Sequence, residues 1–423
     1  MPTITAQLNS AIRPTFRVMQ IAGMFDIPIH ERLQHNLTAE VPGLEEPWSI
    51  GAIVGPSGSG KSTFAKAAFN SALYEPQPWT TDAALIDCFD PETPIKQLVR
   101  VLTAVGLGSV PTWLKPYHTL STGERFRADL ARALVEAGRF STRRCGNAEN
   151  SDSASLRGSA PPRETSLLVI DEFTSSLDRT IAQTTSAALS RFIRKVNQFP
   201  GQPNFRFVAV TCHDDILPWL QTDWVLNLRD GNPRLTRGRL HQPTLQLPVR
   251  KVPQSTWHHF APYHYLTTGL ARSATCYAAF APEGWAVPIT DRPIAFCAAA
   301  PSLGWQKTKR ITRLVTLPEF QGLGIAGRLL EIVATHEANQ GNHVTITASH
   351  PAILAHCANS PRWQFTGHKP TGSTAQIFRG RPITCSTGRP VASFEFISSN
   401  VPTPTRSAGD GSNHSHVSPS EPV

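Results

Sequence analysis

Three observations predict an α/β protein built in two units. Short apolar strands alternate with amphipathic helices through the first 240 residues, residues 243–256 are proline-rich and unperiodic, and a second strand-helix-strand unit follows. The length agrees, since 423 residues exceed what one core usually holds. The expected organisation is a first unit at 1–242 with a flexible insertion at 141–165, a linker at 243–256, a second unit at 257–399 and a disordered tail at 400–423.

Residues 12–53 carry three β-type runs, FRVMQIAGMF, NLTAEV and WSIGAIV, broken by Pro and Gly. Strand gives way to a glycine loop at Gly55, and a helix is expected from Ser62 to about Ala72. The periodic segment 94–107 and the amphipathic run 126–137 predict two more helices, the second opened by the start signal LSTGER. SLLVIDE and FRFVAVTCH are all-apolar runs of the kind buried in a parallel sheet, separated by a helix at about 180–196. After the linker come a strand (ITRLVTLP), a helix at 324–339 and another strand (HVTITAS).

Forty Lys+Arg against 31 Asp+Glu leave a net charge of +9, which suits a polyanionic partner such as nucleic acid or simply a solvated basic surface. Seven scattered cysteines with no C-x-x-C pair read as reduced thiols. No charged leader opens the chain and no window approaches 18 apolar residues, so a soluble cytoplasmic protein with no membrane segment of its own is expected.

GPSGSGKST, residues Gly55, Pro56, Ser57, Gly58, Ser59, Gly60, Lys61, Ser62 and Thr63, fits G-x-x-x-x-G-K-[ST] between a strand and a helix. Glycines let the backbone wrap a phosphate, and the helix N-terminus offers N–H groups and partial positive charge to the anion. Lys61 would reach the β- and γ-phosphates of ATP, and Ser62 offers a hydroxyl oxygen to Mg²⁺. LLVIDE ends a buried strand in two carboxylates, at the sheet edge where ligands bind in open α/β folds. Asp171 would hold Mg²⁺ through water, and Glu172 would orient or deprotonate the attacking water.

With these two motifs in place, three further elements in order resemble the ABC ATPase family. LSTGE at 120–124 is similar to the family signature LSGGQ, SSLD at 175–178 to the D-loop, and His213 to the switch histidine that senses the γ-phosphate. The resemblance implies a head-to-tail homodimer in which Ser121, Thr122 and Gly123 of one subunit, with Asp178 nearby, close over ATP held by the other. Thr122 and Glu124 depart from the signature, which has Gly and Gln there. Gln97 is the candidate for the coupling glutamine. Phe25 is either a platform for adenine or a core phenylalanine.

RITRLVTLPEFQGLGIA, at 310–326, resembles the cofactor-binding core of the GNAT acyltransferases. The resemblance implies that backbone N–H groups of Gln321, Gly322, Leu323, Gly324, Ile325 and Ala326 face the pyrophosphate of acetyl-CoA or another acyl-CoA, with the next strand splayed to admit pantetheine. Many family members carry a tyrosine acid on the following helix, where this chain reads PAILAHCANSPRWQF. His264 as base and Tyr263 or Tyr265 as acid are candidates, and a purely structural aromatic cluster is the alternative. The order of units is similar to predicted proteins in which an ABC-type ATPase is fused to an acetyltransferase.

Overall fold

A computed structural model describes residues 2–11, 13–26, 32–137, 166–198, 204–264, 269–281, 292–302, 306–370, 376–378, 381–383 and 390–398. The insertion expected at 141–165 and the tail at 400–423 lie outside the described residues.

The first unit runs β1 (Thr3–Ala11), α1 (Phe16–Met24), β2 (Arg32–Glu40), β3 (Ile50–Val54), α2 (Lys61–Phe69), α3 (Ile95–Ala104), α4 (Val110–Trp113), α5 (Thr122–Ala137), β4 (Ser166–Ile170), α6 (Arg179–Asn197), β5 (Phe205–Thr211), α7 (Leu217–Leu220), β6 (Trp224–Asn227) and β7 (Arg234–Arg237). Its sheet has the order β4-β5-β3-β6-β7, parallel except for β7. Both faces of the central strands are buried, which explains the unbroken apolar runs. Alternate residues divide between two cores: Phe205, Phe207 and Ala209 pack with α3, α5 and α6, whereas Val208 and Val210 pack with α2 and the β1-β2 pair. FRVMQIAGMF is a helix rather than the expected strand. Thr15 caps it by accepting a hydrogen bond from the Val18 N–H at 3.4 Å, and the segment has no sustained β-branched run to favour extension.

The second unit runs β8 (Val249–Val252), β9 (Thr275–Phe280), β10 (Pro293–Pro301), β11 (Thr308–Thr316), α8 (Ile325–Asn339), β12 (His343–Ala348), α9 (Pro351–Asn359), β13 (Trp363–Lys369), a β14-β15 pair (Gln376–Phe378, Arg381–Ile383) and β16 (Val391–Phe396). Its seven-stranded sheet has the order β13-β16-β12-β11-β10-β9-β8, and only β11 and β12 are parallel neighbours. The stretch expected to be a linker therefore contributes a strand. Val249 and Val252 pack against the second core, Arg250 and Lys251 lie over the rings of Phe280 and Tyr277, and the bracketing prolines Pro248 and Pro253 hid so short a strand. Charged side chains on this edge also discourage further strand pairing.

The two units share a polar seam, and its centre is a buried cation. Arg127 on α5, only 2% exposed, donates to the carbonyls of Gly106 at 3.2 Å and Pro318 at 2.7 Å and to Thr185 Oγ1 at 3.1 Å. Thr184 Oγ1 on α6 donates to the Glu319 carbonyl, and Arg191 on the same helix donates to the carbonyls of Gly322 and Leu323. Gln321 answers from the other side, accepting the Gly108 N–H at 2.8 Å while its own amide donates to the Thr316 carbonyl. Gly322 has φ 86° and sits so near α6 that a Cβ there would lie 2.4 Å from Ala188 Cβ. Gly322→Ala should therefore destabilise the protein by about 1–3 kcal/mol, through a disfavoured φ and overpacking together. Thermal or denaturant unfolding checks it, and a variant as stable as the parent would mean that the seam is loose.

Candidate functional site

Strand register builds the first site. Val54 of β3 pairs with Thr211 of β5, and Ala209 of β5 with Ile170 of β4, so all three strands end at one edge. There β3 releases the glycine loop, β4 releases Asp171 and Glu172, and β5 releases His213 from the middle of the edge. Two strand spacings place the loop and the acids about 10 Å apart at the backbone, within the span of one metal-bound triphosphate. Gly60 takes φ 84° to cap α2, whose first N–H groups have no intrahelical acceptor. Lys61 Nζ donates to the Pro56 carbonyl at 2.7 Å, across its own loop, and the buried Ser59 hydroxyl has no partner. A phosphate oxygen is a fitting acceptor for such donors.

The acid pair is held in an uncommon backbone shape. Asp171 accepts the Glu172 N–H at 2.8 Å, Glu172 has φ 50°, and the buried Thr174 has φ 65°. Positive φ at two side-chain-bearing residues stores strain that the strand pairing on either side must hold, for example the Phe173 N–H bonded to the Val210 carbonyl at 2.8 Å. His213 is half-buried. Desolvation, and next the nearby Arg179 guanidinium, lower its pKa below the usual imidazole value, with Asp215 and Asp214 opposing. The ring is thus disposed to stay neutral at neutral pH.

Ser121, Thr122 and Gly123 open α5, and no hydrogen bond among the described residues joins them to the glycine loop. Glu124 forms a capping box with Ser121, accepting its N–H at 3.0 Å and its hydroxyl at 2.9 Å, while Ser121 Oγ accepts the Glu124 N–H. Thr112 Oγ1 donates to the other carboxylate oxygen. The departure at Glu124 is thus accounted for locally, since a carboxylate at this turn favours the helix N-terminus. Asp178 caps α6 by accepting the Ile181 N–H at 3.1 Å. Gln97 lies in the first turn of α3, and no described hydrogen bond ties its side chain to the glycine loop. Phe25 is 66% exposed and so is no core residue.

The second site lies where two parallel strands part. β11 pairs with β12 only from Thr308 to Ile311, and a bulge in its pairing with β10 falls at Thr312. Beyond it β11 continues to Thr316 with no β12 partner, leaving backbone groups facing a wedge-shaped gap. Gln321–Ala326 closes the end of the gap, with Gly324 at φ 77° capping α8 as Gly60 caps α2. A cavity of about 970 Å³ fills the wedge and takes in Tyr263, His264, His350 and His356. His264 meets Trp257 edge-on, and Tyr265 lies outside the described residues. Helix α9 brings His356 beside Gly327 but no tyrosine, and burial pushes the adjacent Cys357 thiol up to about 12, leaving it unreactive.

Sequence reasoning missed the walls of this cavity. Lys96, Arg100, Arg191 and Lys195 come from α3 and α6 of the first unit, the first two more than 200 residues before the Gln321–Ala326 loop, and His350 reaches the same seam. Pairs of basic residues four apart were visible, but such pairs usually mark a solvated helix face.

Residues 252–356 match the model of the Acetyltransferase (GNAT) family. The second unit carries a GNAT acetyltransferase domain. Similar solved structures cover each unit separately. An IAA acetyltransferase from Bacillus cereus is 13% identical, over 36% of this chain and 99% of its own, with a TM-score of 0.26. The ribosomal-protein-S18-alanine N-acetyltransferase from Escherichia coli is 12% identical, over 40% and 100%, with a TM-score of 0.26. A dimeric bacterial ABC transporter cassette is 16% identical, over 48% of this chain and 89% of its own, with a TM-score of 0.31. No curated protein matches the chain. No helix among the described residues is long and apolar enough to cross a membrane.

His350 joins the GNAT domain to the first unit in one protonation state. Its Nδ1 accepts the Ala352 N–H at 3.3 Å, so Nε2 carries the proton and donates to the Gly108 carbonyl at 3.4 Å. Desolvation lowers its pKa, against the hydrogen bond to Gly108, which raises it. The unfolded chain therefore takes up this proton first, and the stability held by neutral His350 is present above the ordinary imidazole pKa near 6.5 and lost as pH falls below it. Unfolding free energies at pH 7.5 and 5.5 should differ less in His350→Gln than in the parent, and equal pH dependence would show that the ring titrates freely.

Proposed function

We propose that the chain is an ABC-type ATPase coupled to acyl transfer. ATP is bound by Gly55, Pro56, Ser57, Gly58, Ser59, Gly60, Lys61, Ser62 and Thr63. Ser62 and, through water, Asp171 would hold Mg²⁺, which neutralises phosphate charge when bound. Glu172 takes the proton of the attacking water, and neutral His213 donates to the γ-phosphate. The observation that carries this reading is the register of β3, β5 and β4, which delivers the glycine loop, His213 and the acid pair to one sheet edge. Closure over nucleotide needs a second copy of the chain, whose Ser121, Thr122, Gly123 and Asp178 complete the site.

The GNAT domain binds acyl-CoA along the parted edges of β11 and β12, its pyrophosphate against Gln321, Gly322, Leu323, Gly324, Ile325 and Ala326. His264 and Tyr263, both at the cavity, serve as base and acid in acyl transfer to a macromolecule, and the net charge of +9 favours a nucleic acid acceptor. Two helices support the coupling. α5 begins at the signature and carries Arg127, while α6 begins at Asp178 and carries Thr184 and Arg191, so elements poised for the nucleotide interface also hold the acyl-CoA loop. A second reading, an ATP-regulated acyl-CoA sensor without catalysis, is favoured by the lack of a tyrosine on α9.

Glu172→Gln should lower ATP turnover about 10²–10⁴-fold while the protein still binds ATP and accumulates as a dimer, measured by phosphate release and by size-exclusion chromatography. Parent-like turnover would remove Glu172 from its role. Acetyl-CoA at 100 times its Kd should stabilise the protein by about 2.7 kcal/mol in unfolding experiments. No shift at saturating cofactor ends the acyl-CoA reading, and binding without transfer to DNA, RNA or protein acceptors selects the sensor.

A further inference from the structure

The acyl-CoA cavity is not built by the GNAT domain alone. Lys96, Arg100, Thr103 and Ala104 line it from α3, and Ala188, Arg191, Phe192 and Lys195 line it from α6. Each set follows helical i, i+3, i+4 spacing, so each helix turns one continuous face to the cavity. Four cations stand on these two faces, and Glu331, from α8, is the only acidic residue lining the cavity among the described residues. The same cavity is lined by Gln321, Gly322, Gly324, Ile325 and Ala326, where helix N–H groups and a helix dipole favour an anion.

Both terminal nitrogens of Arg191 donate to loop carbonyls, of Gly322 and Leu323, so this side chain orients the loop. Drawing these carbonyls toward α6 fixes which way the intervening peptide N–H groups point. Lys96, Arg100 and Lys195 are exposed and line the same cavity.

Resting on the acyl-CoA reading above, we propose that the cofactor is bound between the two units, with Lys96, Arg100 and Lys195 of the ATPase unit holding the phosphates of its adenosine end and Arg191 positioning the pyrophosphate loop. A diphosphate plus a ribose 3′-phosphate is a compact polyanion, and three cations lining one cavity add to the backbone N–H groups of the loop the charge that it calls for. A volume of about 970 Å³ is also of the size that encloses a whole cofactor. Acyl-CoA affinity is then a property of the assembled chain, and the adenosine end reports the position of α3 and α6.

The test uses the full chain with CoA and 3′-dephospho-CoA, titrated calorimetrically against the parent and against Lys96→Ala/Arg100→Ala and Lys195→Ala variants. The substituted side chains are exposed, so the variants should fold as the parent does, and unfolding midpoints in the absence of CoA check it. The parent should prefer CoA over dephospho-CoA, and the double variant should lose at least about tenfold in CoA affinity with most of that preference gone. A parent that binds CoA while the variants bind it equally well overturns this proposal and leaves the acyl-CoA reading intact. A parent that binds no CoA overturns both. If a single-stranded oligonucleotide binds the parent and loses affinity in the variants while CoA does not, the basic faces belong to nucleic acid and the proposal fails.

Discussion

The second site, and its attachment to the first unit, depend on one set of hydrogen bonds, the clamp that the first unit's side chains place on the main-chain carbonyls of residues 318–323. Arg127 holds Pro318, Thr184 holds Glu319, Arg191 holds Gly322 and Leu323, and Gln321 is pinned between Gly108 and Thr316. Phe320, Leu323 and Ile325 anchor this stretch in the second core, while Gly322 and Gly324 take positive φ and enlarge its conformational freedom. Its geometry is therefore set by that packing and by the clamp together. An anion site made of backbone N–H groups works only when those groups are already aligned, so α5 and α6 do for the second glycine loop what the sheet edge does for the first.

Arg127 shows what the clamp costs and why it holds. Burial lowers the guanidinium pKa to about 10, an amount that still leaves the side chain cationic at neutral pH. The first cause is desolvation, and the charges of Glu319, Glu124 and Asp178 offset it only in part. No carboxylate among the described residues is bonded to it. Two carbonyls and a hydroxyl take its protons instead, and Nη2 is buried without a partner. A cation so placed is tolerated while the acceptors on both sides of the seam stay in position, and separating the units would strip it of its Pro318 bond.

How much of this was legible depended on whether the determinant was local. The strand-loop-helix at Gly55–Thr63 and the strand ending in Asp171 and Glu172 could be read because each motif is contiguous and its flanks have the correct period. The same holds for the V-x-L-P-x-x-Q-G-x-G segment, which the family match at 252–356 includes. Strand β8 was not legible, since VRKV is only four residues between prolines and gains its place from pairing with β9, which begins 23 residues after it ends. Helix α1 was misread because apolar residues fall on all sides of it, and with Phe16, Met19, Met24 and Phe25 all exposed its periodicity carries no core-facing signal. The clamp residues were invisible for a different reason: Arg127, Thr184 and Arg191 acquire meaning only from main-chain atoms more than 130 residues away.

A common geometry underlies both sites. In each, a strand runs into a left-handed glycine, Gly60 or Gly324, that opens a helix toward the place where phosphate would lie. The surroundings then diverge. Beside the first loop stand Asp171, Glu172 and His213, groups that can handle a metal ion and a proton, and the strained backbone at Glu172 and Thr174 is concentrated there. Beside the second loop stand cations and a gap between parted strands, a setting for holding a long, charged molecule still. Helices α5 and α6 belong to both surroundings. About 20 Å of continuous helix joins Asp178, which caps α6, to Arg191, which bonds the carbonyls of Gly322 and Leu323, so one element carries a group at each site.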